Sequence, residues 1–148
     1  MNTKKYNFDT ILPVYNYNFL LNYSDEINIK TLHNAEKNID RIQNQIILNS
    51  ILVNIELAIK IELSIFEYAL IYCHTRQFDE NFIKMVYIDK FNEIYNNLTN
   101  SHGIINNTLK NDLLNNKIES SHIAFMSPSQ LNEQNWIKEI KKKENKTL

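Results

Sequence analysis

Glycine, proline and cysteine are nearly absent from this chain: one Gly, two Pro and one Cys in 148 residues. Each shortage excludes something. With Gly103 as the only glycine, there is no Gly-rich loop to cradle a phosphate. So few Gly and Pro also argue against a turn-rich all-β fold. The single Cys73 excludes an intrachain disulfide framework and says nothing of the redox compartment. An excess of one charge is missing too. The formal net charge is −1, so no global field draws the chain to nucleic acid or anionic lipid. No apolar run approaches the ~20 residues that span a bilayer, so no membrane partner is expected. The opening MNTKKYNFDT has lysines with no apolar stretch behind them and does not read as a secretory signal.

What is abundant is Asn and Ile, at about one residue in six each, far above ordinary usage. Both are read from A/T-rich codons, which points to genome composition rather than function. The length fits one domain, large enough to bury a core without disulfides or metals. Residues 1–30 form a distinct arm in which Tyr6, Phe8, Tyr15, Tyr17, Phe19 and Tyr23 alternate with Asn. Such aromatics can stack on single-stranded bases, but that mode also needs a basic groove. Only Lys4, Lys5 and Lys30 are present there, so the favoured expectation is an arm whose rings pack on the body.

From Thr31, a candidate N-cap, the pattern turns helical. Leu32, Ala35, Ile39, Ile42 and Ile46 recur at spacings of three and four and predict one apolar stripe, ending or bending at Asn49-Ser50. Ile51 to Ile65 then alternate at period two, which favours a strand. Fifteen residues would be a very long strand, and Glu56, Ala58, Lys60 and Glu62 are helix formers. The expectation is a largely buried helix from about Val53 to Cys73. Asp79 is a candidate N-cap for an amphipathic helix carrying Phe82, Ile83, Val86, Tyr87, Lys90, Phe91, Ile94, Tyr95 and Leu98. Asn100 to Asn107 reads as a loop. A short helix follows with Leu109, Leu113 and Leu114. Ser127-Pro128-Ser129-Gln130 is a capping box that opens a helix through Leu131, Trp136 and Ile140.

The run Leu109 to Leu131 carries a resemblance. Leu109, Lys110, Leu113, Leu114, Asn116 and Ile118, then Ala124, Met126, Ser127, Gln130 and Leu131, follow a known order. It is Asn-Leu-Arg-x-x-Leu-Leu-x-Gly-x-Ile, then a small residue, Met-Thr/Ser-x-x-Glu/Gln-Met/Leu. In this the chain resembles the central domain of the transcription elongation factor S-II (TFIIS) family. Asn116 stands where that family has a helix-ending Gly, and Asn is the next-best residue for a left-handed stop. Ile61, Glu62, Ile65 and Phe66 fall on a second stretch of that domain, and Tyr87, Lys90, Asn97 and Leu98 on a third. The third departs at Asn92, Glu93, Thr99 and Asn100, on the polar face of its helix. The resemblance implies an all-α bundle of about four to six helices. It divides the chain into an arm (1–30), an S-II-like domain (31–136) and a basic linker (137–148).

The implied function is docking without chemistry. The family's central domain binds RNA polymerase II, and the complete factor stimulates transcript cleavage through the polymerase's own active site. The expected partner is a multi-subunit DNA-dependent RNA polymerase, on the jaw and funnel side of its largest subunit. The expected site is basic: Lys84, Lys90 and Lys110 on helix surfaces, and Lys138, Lys141, Lys142 and Lys143 in the linker, which is also the expected point of any nucleic-acid contact. A solvated, dipole-matched helix end is the other account of the last four, on an equal footing. The family's zinc ribbon needs two Cys-x-x-Cys pairs; one cysteine cannot supply them. No cofactor is therefore expected here, and zinc only where a longer protein carries a ribbon. The resemblance places the protein in the nucleus, or in a viral factory or virion for a large DNA virus. A resident S-II-like polymerase subunit and a helical adaptor unrelated to transcription are the alternatives. Enzymatic arrangements do poorly. His33, His74, His102 and His122 are scattered, and adjacent Cys73 and His74 point about 100° apart on a helix.

Overall fold

The computed structural model describes residues 29–132 and, in the C-terminal tail, 141 and 143. The described residues are all-helical, with no strand among them. Four main helices come first: α1 (Ile29–Asn38), α2 (Arg41–Leu52), α3 (Ile55–Thr75) and α4 (Ile83–Thr99). Two short ones follow, α5 (Leu109–Leu114) and α6 (Pro128–Leu131), and 3-10 turns occupy Glu80–Phe82 and Ser120–Phe125. The expectations for the arm, and for Trp136, Ile140, Lys138 and Lys142, lie outside the described residues.

Helix α3 is the axis of the fold, with α2, α4 and the Ser120–Phe125 turn packed around it. Thirteen of its 21 residues are buried, which explains the misleading alternation in its sequence. A helix covered on most sides needs no polar stripe, so period two and period 3.6 cannot be told apart there. Asn54 caps its start, accepting from the Leu57 amide at 3.1 Å. Helix α4 lays Ile83, Tyr87, Phe91, Ile94 and Leu98 into the core. Asp79 caps not α4 itself but the 3-10 turn that feeds it, accepting from the Asn81 amide at 2.8 Å.

The single stripe expected from Leu32 to Ile46 is two helices. The chain breaks after Ile39, and Asp40 restarts it by accepting from the Gln43 amide at 3.0 Å. The break rotates α2, so Leu48 and Leu52 enter the core while Ile42 and Ile46 face out. Thr31 is no cap: it lies inside α1 and its hydroxyl donates to Glu80. Helix α2 continues through Asn49-Ser50 to Leu52 and ends at Val53 in a left-handed conformation (φ 50°), costly for a β-branched residue.

In the segment that carries the resemblance, Leu109 and Leu113 are buried. Asn116 has φ 58°. Its amide bonds the Leu113 carbonyl at 3.2 Å and the Lys117 amide bonds Asp112 at 2.8 Å, the paired closure of a Schellman end. Ser127 forms the capping box, with Pro128 in the first turn. The helix it opens stops after one turn, where Asn132 turns extended (φ −152°). The Asn132 side chain is drawn instead onto Asn97 and the Ile105 carbonyl.

Candidate functional site

Three polar or aromatic groupings stand out, and only one faces solvent. The first sits where α1, α2, α3 and α4 meet. Glu62 is fully buried. Arg41 grips its two oxygens from Nε and Nη2 at 2.7 and 2.6 Å, and Gln45 and the Tyr87 hydroxyl donate at 3.0 and 2.8 Å. The third arm of Arg41 reaches Glu36 at 2.8 Å, and its guanidinium lies 4.0 Å from the Phe66 ring centre. Burial pushes the Glu36 carboxyl above its ordinary range, against the pull of Arg41. Burial, with Glu62 alongside, pushes the Tyr87 phenol far up, so it stays a donor. Among the described residues no buried side-chain nitrogen or oxygen lacks a partner. A carboxylate whose acceptors are all engaged is a structural tie rather than a free base.

The second grouping is a knot of asparagines. Asn106 and Asn132 both donate to Asn97 Oδ1, at 3.1 and 3.0 Å. Asn97 donates to the Glu93 carbonyl and Asn106 to that of Leu131. Asn106 Oδ1 also accepts the Leu109 amide at 3.0 Å, starting α5. The knot fastens the C-terminal part of α4, the loop, α5 and α6 together.

The third grouping is a ladder of rings. Gln77, in the left-handed region (φ 56°), closes α3 with bonds from Gln77 and Phe78 amides to His74 and Cys73 carbonyls. That reversal lays Phe78 back on Tyr72, with ring centres 5.9 Å apart. The ladder runs on from Phe78 to Phe82 at 5.9 Å. The other way it runs from Tyr72 to Tyr68 at 5.5 Å and from Tyr68 to Phe125 at 5.6 Å. Arg76 covers Tyr72 at 3.7 Å and Lys90 covers Tyr68 at 4.4 Å. Phe78 and Phe82 are nearly half exposed. Large rings at a surface, with cations seated on their neighbours, suit recognition by another macromolecule. Replacing Gln77 by Gly should raise stability by about 1 kcal/mol, since Gly takes that conformation without the Cβ penalty; thermal melting checks it.

Of the expected lysines, Lys84 and Lys90 lie on different sides of one helix. Lys84 borders a small cleft with Thr31, Asn34 and Glu80. Lys90 leaves α4 on another side, bonded to Glu93 at 3.1 Å and tied to the ladder. Six positions separate them, which places them about 120° apart on the helix. Lys110, Lys141 and Lys143 are exposed on other segments. Sequence reasoning missed the ladder because its rings come from separate segments. It also missed a signal: of 16 basic residues only Arg41 and Arg76 are arginines, and both guanidinium groups sit over rings, where arginine is favoured.

Cys73 is buried, and burial pushes its thiol up, away from the reactive thiolate. Among the described residues no group of three or more His, Cys, Asp or Glu is placed to hold a metal ion. No helix of the described residues is long and apolar enough to cross a membrane. No family model, no curated protein and no solved structure matches the chain.

Proposed function

We propose that the chain is a non-catalytic docking module that anchors an S-II-like elongation factor on a multi-subunit DNA-dependent RNA polymerase. The observation that supports this most is local. The Leu109–Leu131 stretch folds as a short helix, a left-handed Asn116 stop, a 3-10 turn and a Ser127 capping box, in the order the resemblance implies. The ladder from Phe82 to Phe125, with Arg76 and Lys90 on it, serves as the docking face. Exposed Lys84, Lys110, Lys141 and Lys143 steer the encounter and set its salt sensitivity. In a complete factor, transcript cleavage would remain the polymerase's own chemistry.

The test is recovery of polymerase from the native source with the tagged chain, washed at low and high salt. Large polymerase subunits held only at low salt fit a dissociable factor; retention at high salt fits a resident subunit. A Phe78→Ala/Phe82→Ala variant should lose about tenfold or more of that recovery, as expected for aromatic anchors, with its melting temperature little changed. If no polymerase is recovered in either wash, the reading fails. The separation of Lys84 from Lys90 on α4, with Lys90 bonded to Glu93, favours a second reading, an adaptor for a protein partner outside transcription. In that case the same double variant still loses its partner.

A further inference from the structure

We infer that this domain folds only on the cytosolic side of the secretory membrane, because N-linked glycosylation at Asn97 or Asn106 and the asparagine knot exclude each other. The sequence carries four Asn-x-Ser/Thr acceptor triplets, beginning at Asn22, Asn97, Asn106 and Asn145. In a chain this rich in Asn such triplets arise by chance, so their number carries no argument. Their places do. An occupied acceptor belongs on a surface loop of a secreted protein, since the attached sugar is bulky and solvated. Asn22 and Asn145 lie outside the described residues. Asn97-Leu98-Thr99 and Asn106-Asn107-Thr108 begin instead on side chains that are 5% and 8% exposed.

The conflict is atomic. The oligosaccharide comes from a lipid-linked diphosphate donor. Its C1 bonds to the asparagine Nδ2, the C1–O bond to the diphosphate breaks, the lipid diphosphate leaves, and Nδ2 gives up one of its two protons. Asn106 has both protons committed, to Asn97 Oδ1 at 3.1 Å and to the Leu131 carbonyl at 2.9 Å. A sugar there must break one of these bonds and push between α4 and α6. Asn97 Nδ2 donates to the Glu93 carbonyl at 2.8 Å, and its Oδ1 holds Asn106 and Asn132 together. Its neighbours Ile94 and Leu98 are in the core. Any partner displaced from the knot is left buried and unpaired. The transferase acts on the chain as it enters the lumen, before folding hides these amides. The domain therefore meets its partner in the cytosol or nucleus, whichever protein the ring ladder engages, and this inference stands apart from the polymerase proposal.

The test produces the full chain twice in one eukaryotic cell line, in the cytosol and behind a cleavable secretory leader. Peptide mass mapping reads glycan occupancy, and thermal melting reads the fold. The comparison variant is Thr99→Val/Thr108→Val, which removes both acceptor triplets and leaves the asparagines in place. Thr108 makes no cap bond to α5, and cytosolic parent and variant should both melt cooperatively. The lumenal parent should be occupied at Asn97 or Asn106 and show no cooperative melt. The lumenal variant, still occupied at Asn22, should regain the melt and be secreted in about tenfold higher yield. A lumenal parent occupied at both sites that melts like the cytosolic one overturns the inference. So does a lumenal parent that folds with both sites empty while Asn22 is occupied, and so does a lumenal variant that fails to fold.

Discussion

Replacing Arg41 by Met should remove about 3–5 kcal/mol of folding stability, the usual loss when one partner of a buried ion pair goes. The loss follows from what remains. Glu62 stays fully buried with the two guanidinium bonds gone, and Gln45 and Tyr87 cannot balance a full negative charge. A domain of this size has about 5–15 kcal/mol in all, so urea unfolding should show the midpoint falling steeply. The paired change Arg41→Met/Glu62→Leu should recover most of the loss, because it removes the charge along with its partner. A single variant within about 1 kcal/mol of the parent would contradict the assignment of this pair as the central tie.

Asn106→Ala should cost about 2–3 kcal/mol, combining a lost helix cap with buried groups left unpaired. The side chain bonds Asn97, the Leu131 carbonyl and the Leu109 amide at once. Alanine would loosen the loop, the start of α5 and the seat of α6 together. The neighbouring Asn107 is exposed, and its alanine variant should stay within about 0.5 kcal/mol. The pair of variants, measured by denaturant unfolding, separates Asn that reflects composition from Asn that holds the fold. Equal effects at the two positions would refute the knot.

These two sites also show where sequence reading stops. Helices α3 and α4 were legible because their signals are local: apolar spacing, helix-forming partners and few breakers. So was the Ser127 box, while the Asn116 stop was implied by the resemblance. The Ile39-Asp40 break had a local signal as well, since Asp40 followed by Gln43 has the spacing of a capping box. The apolar residues on both sides fitted one stripe and hid it. Glu62 was readable as a helix former but not as a buried charge, because its burial depends on Arg41 and Tyr87, 21 and 25 residues away. The abundance of Asn concealed Asn97, Asn106 and Asn132, which differ from their neighbours only in what surrounds them. The ring ladder depends on the reversal at Gln77, and glutamine gives no hint of a left-handed turn.

The junction around Glu62 has a kinetic side. Its donors come from α2 and α4, on either side of α3 in the chain. If α3 docked on one neighbour alone, it would take a carboxylate out of water before the rest of its donors had arrived. Half-assembled forms are therefore penalised relative to both the open chain and the finished body. One carboxylate thus makes the order of assembly matter, and it favours an all-or-none transition in which α2, α3 and α4 come together in the same step.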